Sequence, residues 1–115
     1  MTVLRIVANL STPDPNAARA FYQDFLGLEP VMDHGWIITF AAKGEQTPQI
    51  SAASQGGGSP VPEISVEVDD VDAAHAKAVE AGFVIARALR DEPWGVRRFF
   101  VWDPAGRLVN ILSHL

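Results

Sequence analysis

The second half of this chain repeats the plan of the first, and that repeat constrains the fold more than any other feature. An apolar run, Leu4-Arg5-Ile6-Val7-Ala8-Asn9-Leu10, leads through Pro13-Asp14-Pro15-Asn16 into Ala17-Ala18-Arg19-Ala20-Phe21-Tyr22. Fifty-six positions later, Glu63-Ile64-Ser65-Val66-Glu67-Val68 leads through Asp69-Asp70-Val71-Asp72 into Ala73-Ala74-His75-Ala76-Lys77-Ala78. Asp14 falls on Asp70, Asn16 on Asp72 and Ala17-Ala18 on Ala73-Ala74, and Gly27 and Gly82 stop the two helices at nearly the same offset. A period of this length means two copies of one supersecondary unit, neither able to bury its apolar face alone. The functional surface is then expected between the halves.

A chain of 115 residues with 48% hydrophobic side chains makes one compact domain, residues 1–115, with a real core. It has no cysteine, which excludes disulfides, thiolate chemistry and Cys-based metal sites. No apolar run approaches the roughly 20 residues that span a bilayer, and no secretory signal is recognisable. The expectation is a cytoplasmic protein with no membrane partner. A formal charge of −5, with basic residues scattered, argues against a nucleic-acid partner. It suits a neutral or cationic small ligand better than a polyanion.

The alternation of apolar residues predicts a first strand over about 3–10 and a helix over about 15–25. Asp14 or Thr12 serves as the N-cap, and Ala18, Phe21 and Phe25 form the buried stripe. Strands follow near 30–32, 36–42 and 49–53, with turns at Asp33-His34-Gly35 and Lys43-Gly44-Glu45. The first module is then about 1–53, and the Gly/Ser-rich segment 54–60 reads as a flexible linker. The second module, about 61–115, has a strand over 64–68 and a helix over about 71–81, capped by Asp69 or Asp70 and stopped by Gly82. Strands over 84–89, 96–102 and 108–112 complete it, with a tight turn at Asp103-Pro104-Ala105-Gly106. The fold class is α+β: two βαβββ modules with the helices on one side of the sheet.

This layout, with the strings Ala20-Phe21-Tyr22-Gln23-Asp24-Phe25-Leu26-Gly27-Leu28, Val66-Glu67-Val68-Asp69-Asp70-Val71-Asp72-Ala73 and Asp103-Pro104-Ala105-Gly106, resembles the vicinal oxygen chelate superfamily. Its members include glyoxalase I, extradiol dioxygenases, fosfomycin-modifying enzymes and bleomycin-resistance proteins. The resemblance covers nearly the whole chain. It implies a cupped mixed sheet with the helices outside, frequent homodimers, and the ligand in the cup.

In metal-dependent members, the resemblance implies three ligand positions: a His in the first strand of each half and a Glu in the last strand. Counting seven residues back from Asp14 and Asp70 places the first two on Val7 and Glu63, and the repeat itself sends Val7 to Glu63. The third falls on Asn110. Val7 has no lone pair, and Asn110 is a weak ligand for a transition ion, so only Glu63 remains a donor. The expectation is a cup without a metal cofactor, with Glu63 the ligand if a divalent metal binds.

The three histidines occupy none of these positions. His75 reads as a solvated helix residue, His34 as an exposed turn residue and His114 as part of a frayed end. By strand alternation Glu63, Ser65 and Glu67 face away from the helix. There Glu63 either binds a cation or ligand, acts as a general base, or caps the strand entrance in solvent. Asn110 offers a donor and an acceptor, to a ligand or to neighbouring backbone. Trp36, Trp94 and Trp102 each read first as packing. Trp94, between Pro93 and Gly95, is the one that local core does not claim, and the resemblance implies that its loop borders the cup. Phe40, Phe99 and Phe100 add aromatic area to the same expected ligand site, with strand register deciding which of them face the ligand. Arg97 and Arg98 point to opposite faces, with a solvated edge as the plain reading of both.

Two classes of function follow. The first is a bleomycin-resistance-like protein, expected as a homodimer, that binds an aromatic or cationic drug-like molecule without chemistry, as in antibiotic resistance. The second is an enzyme: either a metal-dependent lyase, isomerase or thiol transferase of the glyoxalase type, or a metal-free enzyme with Glu63 as catalytic base.

Overall fold

The computed structural model describes residues 1–43 and 49–115, which divide into two compact units. The turn expected at Lys43-Gly44-Glu45 lies largely outside the described residues. One unit is Val7–Val61; the other is Pro62–Leu115 together with Met1–Ile6. The first six residues therefore pack with the second half of the chain, so strand β1 (Val3–Ser11) contributes to both units.

In the first unit, β1 pairs in parallel with β4 (Gln49–Ala53), which pairs antiparallel with β3 (Ile37–Ala41), and that with β2 (Glu29–Asp33). Ile38, Phe40 and Ala52 are buried on one face, under Ala18, Tyr22 and Leu28. The segment above them departs from the expected helix. A 3-10 turn, Pro15–Ala18, is capped by the Asp14 side chain and followed by a π-helical turn, Ala20–Phe25, in which the Leu26 N–H donates to Phe21 O at 3.0 Å. The Tyr22 ring lies 5.9 Å from that of Phe40 and roofs the core. Ala18 and Tyr22 are thus the inward stripe, and Phe21 and Phe25, expected inside, are exposed against each other. One helical position, about a quarter turn, separates the two phases.

The segment 54–60 is a hydrogen-bonded turn. The Gly56 N–H donates to Ser59 O at 2.7 Å, and Ser59 Oγ donates to Gly56 O at 2.9 Å. A Cβ on Gly56 would fall 2.1 Å from the Pro60 carbonyl oxygen, so only glycine fits there.

The second unit repeats the plan. β5 (Ile64–Val68) runs parallel to β8 (Leu108–His114), which pairs antiparallel with β7 (Val96–Trp102), and that with β6 (Ile85–Glu92). Helix α1 (Val71–Glu80) lies on one face of these strands, over Val68, Phe99 and Ile111. β6 and β8 both run beyond their expected ends, so His114 lies in a strand. His75 packs edge-on against Phe99 at 5.0 Å and is half-buried, not solvated.

The start of α1 is fixed by side chains at both sides. Asp70 Oδ1 accepts the Ala73 N–H at 3.0 Å. Ser113 Oγ accepts the Val71 N–H at 3.1 Å and donates to Val68 O at 2.7 Å. Asp70→Ala is expected to lower unfolding stability by about 1 kcal/mol, measured by denaturant titration, because an N–H of the first turn loses its partner. At the other end, Phe83 N donates to Ala78 O and Gly82 N to Val79 O, a Schellman closure that needs the φ of +80° at Gly82.

Candidate functional site

The strand pairing of the second unit sorts its side chains into two faces. Ser65 opposes Asn110, Asn110 opposes Phe100, and Arg98 opposes Leu112, so these residues share the face turned away from α1. Phe99 opposes Ile111 on the other face, under the helix.

Asn110 is the most telling residue of the first face. It is 8% exposed, and its Nδ2 donates to Ser65 Oγ at 3.1 Å. Its Oδ1 is buried and has no hydrogen-bond partner among the described residues. Exchanging the two amide ends lets Oδ1 accept from Ser65 and leaves Nδ2 unmet instead. In either orientation one polar end of a buried amide has no protein partner among the described residues.

Beside it runs a charged, aromatic stretch in which sequence reading picked out Trp94 but missed Glu92. The hairpin turn Pro93-Trp94-Gly95 brings Glu92, at the end of β6, back beside β7. The Glu92 side chain is 1% exposed and takes Arg90 Nε at 2.8 Å, Arg87 Nη2 at 3.5 Å and Arg98 Nε at 3.6 Å. The Arg98 guanidinium carbon lies 4.9 Å from the Trp94 ring centroid and 4.7 Å from that of Phe100, within cation–π range of both. Burial lowers the Arg98 pKa below the usual guanidinium value, against the pull of Glu92. Arg97, the preceding residue, points outward to Asp91 and Asp72 at 2.6 and 3.0 Å, and its hydrogen bond, reinforced by its charge, holds the Asp91 carboxyl below the ordinary range. The expected divergence of the two arginines holds. Arg98, read as a solvated edge residue, is instead buried.

The remaining expected site residues fall as follows. Trp94 stands on the arginine side of the hairpin. Phe99 and Phe40, expected to face a ligand, are core residues under α1 and Tyr22, because each strand's parity turns them to its helix. Trp36 precedes β3, half-buried, its ring stacked 6.2 Å from that of His34. Val7 is buried in β1. Glu63 lies just before β5, its carboxylate over half exposed and paired with Arg107 Nη1 at 2.7 Å, the arrangement of a solvated strand entrance.

These residues do not suit a transition ion. Val7 has no donor atom, the Glu63 carboxylate already binds a guanidinium, and Asn110 supplies a neutral amide. No three His, Asp or Glu side chains converge among the described residues. Glu67 accepts from Arg5 Nε at 3.0 Å and also contacts His114 Nδ1, which ties the first strand and the last to β5.

A model of the Glyoxalase/Bleomycin resistance protein/Dioxygenase superfamily matches residues 3–111. An uncharacterized protein of Mycobacterium bovis is 46% identical over 50 residues, which cover 44% of this chain and 32% of that relative, about a third of its length. A Legionella pneumophila structure described as an NAD-dependent benzaldehyde dehydrogenase superposes with a TM-score of 0.79 at 16% identity, over 96% of this chain and 100% of that one. A superfamily member from Vibrio splendidus gives 0.68 at 19% identity, over 99% and 100% of the two chains. At such identities the structures establish the fold, and the family model adds membership: this chain belongs to the Glyoxalase/Bleomycin resistance protein/Dioxygenase superfamily.

Proposed function

We propose that this protein binds a small aromatic molecule on the face of its second unit turned away from α1, without a metal between protein and ligand. The observation that carries the reading is the unmet polar end of buried Asn110. Such a group costs about 1–3 kcal/mol while it stays unpaired, and a ligand that completes it recovers that cost on binding. Half-buried Trp94 supplies aromatic surface on the same side, while Phe100 is buried beneath Arg87 and Arg98. Overall charge pointed to a neutral or cationic ligand, but Arg87, Arg90 and Arg98 share this face and a single glutamate. A neutral or anionic aromatic compound avoids like-charge contact there.

The test is calorimetric titration with naphthalene derivatives that differ only in their substituent: carboxylate, hydroxyl and methylammonium. The carboxylate or hydroxyl compound is expected to bind, and the methylammonium compound at least tenfold more weakly. Asn110→Leu is expected to weaken the bound compound about tenfold, the worth of one buried hydrogen bond. Added Zn²⁺ or Mn²⁺ leaves the affinity unchanged. Preference for the cation, or binding indifferent to Asn110→Leu, overturns the proposal.

A further inference from the structure

Ala74, Lys77 and Ala78 of helix α1 and Ala81 at its C-cap, spaced i, i+3, i+4 and i+7 along one helical face, line one wall of a groove. Three of these four side chains end at Cβ, so the helix leaves a gap along its edge beside Val66, Val101 and Ile111. A groove of about 390 Å³ remains, within the range of small-molecule sites (about 300–1,000 Å³). The Schellman closure at Gly82 sets Phe83 beside Ala78 at one end of the groove, and Met1 borders it as well. Both are at least half exposed. The lining is apolar except at Lys77, which is exposed and whose ammonium makes no hydrogen bond or ion pair among the described residues.

An unfilled apolar groove forfeits dispersion contacts along its whole lining. Larger side chains at positions 74, 78 and 81 would have closed it. The free ammonium on its border supplies the complementary charge for an acid. From this pairing of an apolar slot with one cation, we infer that the groove binds a monomeric straight-chain carboxylate, its alkyl chain along that edge of α1 and its carboxylate on Lys77. This site lies on the opposite face of the sheet from Asn110 and is independent of the function proposed above.

Calorimetric titration of the full chain with hexanoate through dodecanoate, each below its micelle concentration, tests it. Affinity is expected to rise about fourfold per methylene until the groove is full, the fold-change that corresponds to burying one CH₂. Lys77→Ala is expected to weaken decanoate several-fold and to leave decanol unaffected. Ala78→Leu, a substitution between two strong helix formers, is expected to abolish binding of both. Asn110→Leu should change none of these affinities, so failure here leaves the aromatic site standing. Affinity flat with chain length in the wild-type protein, equal losses for decanoate and decanol in Lys77→Ala, or association only with carboxylate-bearing vesicles would each overturn the inference.

Discussion

Glu92→Ala is expected to lower the unfolding free energy by about 3–5 kcal/mol, the loss seen when one partner of a buried ion pair is removed. The carboxylate is shared by Arg87, Arg90 and Arg98, and the Arg98 side chain is only 5% exposed. Water cannot replace the missing charge at Arg98, whose surroundings are the rings of Trp94 and Phe100. Arg90, which makes the shortest contact with Glu92 at 2.8 Å, is more than half exposed and turns to solvent at little cost. The penalty therefore concentrates on Arg98. Two companion variants separate charge from packing. Glu92→Gln keeps the shape and one hydrogen-bonding oxygen, so its loss should be smaller. Glu92→Gln combined with Arg98→Met should recover stability relative to Glu92→Gln alone, since an apolar chain of similar length suits the two rings. Chemical denaturation of the four proteins checks this, and a Glu92→Ala loss under 1 kcal/mol would contradict it.

The same cluster marks where sequence reasoning ran out. The doubled βαβββ plan was legible because it rests on local signals repeated at a fixed interval: alternating strands, an Asp cap at position 14 and again at 70, and glycine stops at 27 and 82. The parity of β5 was legible too, and it correctly put Ser65 opposite in direction to Val66. Register across a hairpin is another matter. The sequence suggested that β6 ends near Leu89, whereas pairing continues through Arg90–Arg98 and Glu92–Val96. That extension carries Glu92 to Arg98, and no property of either residue alone announces it. Phe99 and Phe100 show the same limit. Adjacent and equally apolar, they differ only in which faces α1, and that depends on the pairing of β7 with β8. The unmet polar end of Asn110 was beyond reach for a related reason: the sequence shows an amide, but only three-dimensional neighbours show which of its ends is served.

Phe40 provides the second large effect. It is fully buried, and Phe40→Ala is expected to cost about 3–5 kcal/mol, the combined loss of apolar burial and the cavity left beneath Tyr22. Tyr22 cannot follow the missing ring inward, because the π-helical turn carrying it is closed by Leu26 N to Phe21 O and Leu28 N to Tyr22 O, both at 3.0 Å. The informative control is Phe25→Ala. Sequence periodicity assigns Phe25 to the same buried stripe and expects a comparable loss. The observed phase leaves Phe25 at 72% exposure, touching Phe21 and little else, and a loss within about 0.5 kcal/mol is expected. Denaturant midpoints of the two variants thus measure the phase of this segment directly. Similar losses for both would mean that Phe25, and not Tyr22 alone, is packed on the sheet. A wide gap, with Tyr22→Phe nearly neutral, fits a core roofed by the Tyr22 ring whose hydroxyl reaches water.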